Sequence, residues 1–355
     1  MSDRLAIQAV IKRATQAAQD AVVNLDADTL AELEKIYHQA AADIGAAIER
    51  NAGMDGNVTL AELQSALAQV NAKLRDLSYQ RDALLNGALT EAAALGVDPS
   101  LAAVMGAAAT MTVPAEAVSF VRNFVAADGL QLSDRIWRVD RMAKDIVTNA
   151  IESAVIQGHG AAQAARDLLS KGSAVPSDVA NKLNAANAAE LSKSAKELMT
   201  GQGSPLDNAM RLFRTEINRA HGTAYMMGAA KNPDVAGFKF LLSPSHPKHD
   251  ICDLLSTQNL YGLGAGVYPK DKIQGIWPAH PNTLSFVVAV FKDEVSGRDK
   301  ASKETPMEAM ARLSPAQRQG ALGMAKSQAY DDGKISQGMI RAPWRTVKKR
   351  ISADS

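Results

Sequence analysis

The sequence predicts a mainly α protein, in which a helical N-terminal body precedes a small α+β module and a set of terminal helices. Apolar residues recur at helical spacing through most of the first 230 residues. Hydrophobic residues make up 46% of the chain and aromatic residues only 5%, an alanine-rich composition that favours helices. Residues 233–290 differ, because they are rich in Pro, Gly and His and contain two strand-like runs. We expect a helical N-terminal region at 1–130, a helical linker at 131–203, the module at 204–295 and a helical tail at 296–355.

The charge balance and the single cysteine exclude several classes of protein. Lys and Arg number 39 against 38 Asp and Glu, so no global field attracts the chain to nucleic acid or to an anionic membrane. Cys252 is alone, which excludes an intramolecular disulfide framework and a four-thiolate zinc site. No export signal is visible at the start, and Pro99 and Gly106 interrupt the most apolar stretch, at 92–113. We expect a protein that needs no membrane to fold.

Capping patterns divide the first hundred residues into predicted helices. Asp28 or Thr29, followed by Glu32, has the pattern of a helix N-cap with its capping-box partner, and 59–62 repeats that pattern. A break at 51–57 separates two apolar stripes. The stripes are long enough to form an antiparallel helical hairpin.

Prolines and polar caps predict the starts of the later helices. Pro99 and Pro114 each stand where a first-turn proline would begin a new helix. Apolar periodicity then predicts helices from Leu132 and from Leu206, the second running to about Lys231.

The module and the tail carry distinct signals. The runs at 237–243 and 284–291 predict strands, and the glycine-rich stretch at 261–266 predicts a tight or flexible connection. Thr305 and Ser314 each precede a proline and stand three residues before Glu or Gln, so each predicts a capped helix start.

The densest group of reactive side chains lies in the module. Histidine, thiolate and carboxylate are the groups that bind zinc, and a ligand returning from a distant loop can complete such a site. The alternative is that Asp250 and His280 make structural hydrogen bonds that hold proline-rich loops in place. Cys252 could also act as a nucleophile with His249 or His280 as base, although a buried thiol is the simpler interpretation. The cluster consists of His246, His249, Asp250, Cys252, Asp253 and His280.

Two further groups of charged residues have candidate roles. The trio Arg214, Glu216 and Arg219 falls within two helical turns, so its members could pair with one another or clamp the module's loops. We expect a structural or partner-binding role for this trio and for Pro281. A concentrated basic run near the C-terminus is either a solvated end or a contact with phosphate groups of DNA. That run includes Arg345, Lys348, Lys349 and Arg350.

Four ordered blocks of sequence resemble the C-terminal module of phage Mu F-like head-morphogenesis proteins. They are RTEINRAHGTA at 214–224, FLLSPSHPKHDICDLL at 240–255, YGLGAGVYPKD at 261–271 and PAHPNTLSFVV at 278–288. The segment 132–169 is similar to the helical part that precedes the module in this family.

The resemblance implies a minor capsid protein and no catalytic activity. Its partners would be the portal and other phage head proteins, and phage DNA if it is ejected with the genome. Its location would be the capsid interior of the virion, and the host cytoplasm during assembly.

The chain departs from that family where a metal would be held. In many members two cysteines follow the histidine–proline pair and suggest a metal-stabilised loop. Here Asn282 and Thr283 follow His280–Pro281, so a bound zinc would need the cysteine-poor cluster described above. We therefore expect no cofactor, and zinc bound by this cluster is the alternative.

Two other functions remain open from the sequence alone. The His/Asp/Cys cluster could form the centre of a metal-dependent hydrolase or nuclease, although no HExxH helix or activated nucleophile accompanies it. A phage-derived effector that acts on a host is the third interpretation.

Overall fold

The protein is mainly α, as predicted, with a small antiparallel sheet in its C-terminal part. The computed structural model describes residues 2–51, 60–102, 111–125, 129–156, 193, 196–243, 246, 248–280, 283 and 285–353. The α-helices are α1 (Ser2–Arg50), α2 (Leu60–Ala102), α3 (Val113–Asn123), α4 (Leu132–Ile156), α5 (Pro205–Ala230), α6 (Ile251–Thr257), α7 (Gly297–Ala301), α8 (Pro306–Arg312), α9 (Pro315–Leu322), α10 (Met324–Asp331) and α11 (Trp344–Ala353). The strands are β1 (Val235–Leu241), β2 (Val267–Pro269) and β3 (Phe286–Phe291), and short 3₁₀ turns lie at Ile273–Gly275 and Gln337–Met339.

The chain forms two compact units, each built from segments that are distant in the sequence. The helical unit comprises Ala21–Ala92 and Val118–Ile217. The module unit comprises Met1–Asp20, Ala93–Ala117 and Asn218–Ser355. Within the described part of the chain, no helix has both the length and the apolar character that crossing a bilayer requires.

In the helical unit, parts of α1 and α2 form the predicted antiparallel hairpin. Nζ of Lys73 lies 3.3 Å from Oδ2 of Asp43, and Nε2 of Gln69 donates to Oδ1 of Asn51 over 3.4 Å. These pairs run in opposite directions along the two helices. The facing apolar side chains are fully buried, and they include Leu33, Tyr37, Ile44, Ile48, Val70 and Leu85. Burial of this stripe drives the pairing of the two helices.

A buried arginine links α4 to the hairpin. Arg81 on α2 is only 1% exposed. Its Nη2 donates to Oδ2 of Asp140 over 3.1 Å and to Oδ1 of Asp82 over 2.6 Å. Ser78 also donates to Asp140 over 2.7 Å. Because a buried guanidinium is tolerated only when it is paired, this contact couples α4 to α2.

Two predicted helix starts in the N-terminal half are wrong. Residues Asp28 and Thr29 lie inside the continuous helix α1, because the apolar stripe extends on both sides of them and packing outweighs the local capping signal. Pro99 lies in the last turn of α2 and does not begin a new helix. The end of α2 packs closely on α5, since a Cβ on Gly96 would lie 2.2 Å from the carbonyl oxygen of His221. This tertiary contact offsets the proline's missing hydrogen bond.

The other predicted helix starts that fall within the described residues agree with their sequence signals. Helix α3 begins at Val113 with Pro114 in its first turn, and α4 and α5 begin at Leu132 and Pro205. Thr305 and Ser314 each accept from the third helical amide and complete a capping box. The predicted cap Thr59 lies outside the described residues, and α2 is described from Leu60.

The sheet has the order β2-β1-β3, and both pairings are antiparallel. Phe238 on β1 faces Tyr268 on β2, and Phe240 faces Val287 on β3. Strands β1 and β3 correspond to the two predicted runs. Strand β2 was not predicted, because three residues are too few to show an alternating pattern.

One apolar core joins the sheet to α5, α6 and the start of α1. Its largest member, Trp277, is fully buried and donates from Nε1 to the carbonyl oxygen of Ser285 over 2.9 Å. The indole lies directly over Gly222 on α5, where a Cβ would lie only 2.1 Å from the ring. The buried members of this core include Ile11, Tyr225, Met226, Phe238, Phe240, Cys252, Leu255, Tyr268, Ile273, Val287 and Phe291. The close approach of α5 to Trp277 therefore depends on glycine.

A methyl group at Gly222 should destabilise the module unit. The substitution Gly222→Ala is expected to lower the free energy of unfolding by about 1–3 kcal/mol, because the Cβ would overlap the Trp277 ring. The measurement is urea denaturation followed by circular dichroism.

Gly87→Ala is the matched control, since Gly87 is also helical but has no atom within 4 Å of a built Cβ. It should instead raise stability by up to about 1 kcal/mol through helix propensity. Equal effects at the two glycines would show that the indole does not set the packing of α5.

The tail helices form a second small core against α6. Leu254 of α6 packs among apolar side chains of α8 to α11. These include Ala309, Met310, Leu313, Leu322, Ala329 and Val347. The tail is therefore part of the module unit and helps to position α6.

Candidate functional site

The predicted cluster of histidine, aspartate and cysteine residues forms at the start of α6. Asp250 is the N-cap of this helix, and its Oδ1 accepts from the amide of Cys252 over 2.7 Å. The amide of Asp250 donates in return to Oδ2 of Asp253 over 2.8 Å. This reciprocal capping box was not recognised in the sequence, where Asp250 and Asp253 stood out only as ligand types. It holds both carboxylates in defined positions.

Two histidines of the preceding loop lie against Asp253. Nε2 of His246 is 3.2 Å from Oδ2 of Asp253, and Nδ1 of His249 is 3.0 Å from Oδ1. Burial raises the pKa of Asp253, but the Asp250 amide and the two histidines outweigh it and hold that pKa below its usual range. Asp253 is therefore an ionised anchor for the loop.

His280 reaches the same cluster from a loop about thirty residues away. Its Nε2 lies 3.1 Å from Oδ2 of Asp250 and 3.3 Å from Sγ of Cys252. The thiol is fully buried, and Oγ1 of Thr283 lies 3.9 Å from it. The fold thus brings all six predicted residues together.

The environment of Cys252 keeps its thiol protonated. Burial, and secondly the negative charge of Asp250, raise the pKa of Cys252 to about 12. Because the thiolate is the nucleophile, a thiol with this pKa is a poor one near pH 7. The geometry supports the buried-thiol interpretation and disfavours a cysteine nucleophile.

Packing from other elements positions the two loops of the cluster. Asn218 on α5 donates to the carbonyl oxygens of Thr283 and Ser285 over 3.0 and 3.1 Å. Gly320 on α9 lies against the backbone of His249, where a Cβ would be 2.3 Å from the carbonyl oxygen. Sequence reasoning missed Asn218, Thr283 and Gly320 as supports, and the only signal was that Asn218 and Thr283 fall within the family-like blocks.

Two overlapping groups of side chains have the geometry to hold a metal ion. One comprises Asp250, Cys252 and His280, and the other comprises His246, Asp250 and Asp253. Within each group, one ligand atom from each residue lies within 4.8 Å of the others. His249 belongs to neither group.

The charged trio lies on α5. Nε of Arg214 is 3.4 Å from Oδ2 of Asp26, so Arg214 has a partner outside the trio. Glu216 and Arg219 are buried. Pro281 lies outside the described residues.

The basic run is exposed on α11. Arg345, Lys348, Lys349 and Arg350 face solvent, whereas Val347 is buried against the tail core. This arrangement agrees with a solvated basic face and leaves that face accessible to phosphate groups.

One buried histidine outside the cluster makes the module unit sensitive to acid. His221 on α5 is buried, and its Nε2 has no hydrogen-bond partner among the described residues. Desolvation lowers the pKa of His221 from its ordinary value of 6.5 to about 4. The folded state therefore holds the neutral imidazole while the unfolded state gains a proton below pH 6.5.

This difference should appear as a pH dependence of stability. The contribution of neutral His221 is fully present above pH 6.5, declines as the pH falls and is lost below about pH 4. Between pH 7 and pH 4, the protein should lose about 3 kcal/mol more stability than a His221→Leu variant, which cannot titrate there. Urea denaturation at several pH values measures both slopes, and parallel slopes would contradict the assignment.

Comparison of the chain with protein-family models, with curated proteins and with solved structures finds no match.

Proposed function

We propose that this protein is a minor head component of a tailed phage that acts in head assembly. It would lie inside the procapsid in contact with the portal, and it would serve as a structural component with no catalytic activity. The proposal begins from the resemblance of four ordered sequence blocks to the module of Mu F-like head-morphogenesis proteins.

The observation that carries the proposal is that parts of all four blocks build one core. The first block contributes Gly222, which packs against the ring of Trp277. Trp277 directly precedes the fourth block. The second contributes Phe240, Cys252 and Leu255 to the same core, and the fourth contributes Val287. Tyr268 of the third donates from its hydroxyl to the carbonyl oxygen of Leu255 over 2.7 Å. The blocks that carry the resemblance thus form one structural unit.

The polar chemistry of the module supports a structural role. Asp250 and Asp253 form the capping box of α6. The Asp250 carboxylate accepts from the amide of Cys252, and the Asp253 carboxylate accepts from the amide of Asp250. The histidines lie against those carboxylates, and the Cys252 thiol stays protonated. These contacts fix two loops against a helix, which suits a rigid recognition surface.

The helical unit offers side chains that could contact other head proteins. Tyr79 on α2 is 78% exposed and Trp137 on α4 is 57% exposed. Large aromatic side chains are enriched at protein interfaces, where they supply most of the binding energy. We therefore place the contact with the portal or another head protein on this unit.

Co-expression with the portal protein of the same phage tests the proposal. The full chain should co-purify with the portal and should be present in purified procapsids in fewer copies than the major capsid protein. The double variant Tyr79→Ala, Trp137→Ala should reduce recovery while circular dichroism shows unchanged folding. Absence of the chain from procapsids, together with no recovery on the portal, would contradict the proposal.

A metal-dependent hydrolase or nuclease is the second candidate. It is favoured by the group Asp250, Cys252 and His280, because His280 and Asp250 are partly exposed and a substrate could approach them. Zinc-loaded protein incubated with plasmid DNA and with an activated ester distinguishes the two functions. Hydrolysis that disappears in a His280→Ala variant would replace the assembly role with an enzymatic one.

A further inference from the structure

We propose that Asp250, Cys252 and His280 bind one zinc ion, which ties the start of α6 to the loop that carries His280. This inference does not depend on the role in head assembly. A zinc ion there would join two segments of the module that are about thirty residues apart in the sequence.

The distances between the side-chain atoms suit a tetrahedral ion. Nε2 of His280 lies 3.1 Å from Oδ2 of Asp250 and 3.3 Å from Sγ of Cys252. With zinc–ligand bonds of about 2.0–2.3 Å, neighbouring ligand atoms of a tetrahedron lie about 3.3–3.6 Å apart. The third pair, a carboxylate oxygen of Asp250 and Sγ of Cys252, lies within 4.8 Å. Small adjustments of these side chains would therefore bring the three atoms to coordination distance.

The ligand chemistry selects zinc over the common hard cations. One thiolate sulfur, one imidazole nitrogen and one carboxylate oxygen form the set of donors that zinc accepts. The Cys252 thiol is protonated in the metal-free chain, so formation of the zinc–sulfur bond releases its proton to solvent. Magnesium and calcium require oxygen ligands almost exclusively, and the group has one carboxylate. The donor set therefore specifies a borderline-soft divalent ion.

This group is a better metal site than the overlapping group of His246, Asp250 and Asp253. Both oxygens of Asp253 are already engaged, because Oδ2 accepts from the Asp250 amide and from His246 while Oδ1 lies against His249. Oδ1 of Asp250 is likewise held by the amide of Cys252. Oδ2 of Asp250 accepts no hydrogen bond from a backbone amide among the contacts of the cluster. It is the oxygen that faces His280. Zinc at Asp250, Cys252 and His280 would thus leave the helix cap intact.

The site combines a buried ligand with an open side. Cys252 is fully buried, whereas the side chains of Asp250 and His280 are about a quarter and a third exposed. An ion can enter from the exposed side, and a water molecule can occupy the fourth position. Binding should restrain both loops and raise the thermal stability of the chain.

Metal titration of the full chain tests this assignment. The apo protein is titrated with zinc in competition with a chromophoric chelator, and with cobalt to record the thiolate-to-metal charge-transfer band. We expect one zinc per chain, a rise in melting temperature and a cobalt band that disappears in Cys252→Ser. His280→Ala should weaken zinc binding by more than about tenfold.

His249→Ala is the matched control, since His249 lies in the same cluster but outside the metal-binding group. It should bind zinc as tightly as the unmodified chain. Circular dichroism of each apo variant distinguishes loss of a ligand from loss of folding. If His280→Ala does not fold, the milder His280→Gln variant takes its place.

Three results would overturn the assignment. The first is the absence of stoichiometric zinc and cobalt binding by the unmodified chain. The second is an equal loss of binding in His280→Ala and His249→Ala. The third is a loss in His246→Ala with normal binding in His280→Ala, which would place the ion in the other group.

Discussion

Replacing Trp277 with alanine is expected to lower the free energy of unfolding by about 3–5 kcal/mol. Trp277 is the largest fully buried side chain among the described residues. Its removal leaves a cavity beside Gly222 and leaves the carbonyl oxygen of Ser285 without the indole N–H that it accepts. The cavity and the lost hydrogen bond add to the lost apolar burial.

The same substitution at Trp137 provides the control. Trp137 is exposed, and its ring has Arg141 5.2 Å from its centroid, so Trp137→Ala should change stability by less than about 1 kcal/mol. Urea denaturation followed by far-ultraviolet circular dichroism compares the two variants. Similar losses in both would show that the core around Trp277 is not the main support of the module unit.

Replacing Asp140 with alanine is expected to destabilise the helical unit by about 3–5 kcal/mol. Asp140 accepts from both terminal nitrogens of Arg81, which is almost wholly buried. Its removal leaves Asp82 as the carboxylate partner of Arg81. It also takes away one of the two hydrogen-bond acceptors of Ser78 and leaves the carbonyl oxygen of Leu74 as the other. An undercompensated buried charge costs far more than a lost surface ion pair.

Asp145→Ala on the same helix is the control for that prediction. Asp145 pairs with Arg141 at 3.2 Å, but both side chains are more than half exposed, so the loss should be below about 0.5 kcal/mol. The double variant Arg81→Met, Asp140→Leu removes both charges and should recover much of the stability lost in Asp140→Ala. Thermal and urea denaturation of the three variants would contradict the assignment if Asp140→Ala and Asp145→Ala behaved alike.

Much of the local structure could be predicted from the sequence because its causes are local. The proline and capping residues at Thr305 and Ser314 satisfy first-turn amides whatever surrounds them, and both helices begin where predicted. The predictions at Asp28 and Pro99 failed where long-range packing competes with the local signal. At Pro99 the close contact of α2 with α5 through Gly96 has no signature near the proline itself.

The sequence predicted which residues form the candidate site but not the hydrogen bonds that arrange them. The residue types of the cluster suggested ligands, and the fold brings them together. The capping box of Asp250 with Asp253 decides which carboxylate oxygens remain available to an ion, and it follows from the backbone geometry at the start of α6. The role of Gly320 depends on α9 packing against the loop of His249, seventy residues earlier in the chain.

The sequence by itself determined the mainly α class, the hairpin, the strands β1 and β3 and the identity of the cluster, since periodicity, caps and residue chemistry are encoded within short segments. Only the tertiary structure decided that Cys252 is a buried thiol, that His280 returns to Asp250 and that Trp277 lies over Gly222. These outcomes depend on the distances and burial that arise when segments far apart in the chain pack together, and no short segment contains that information.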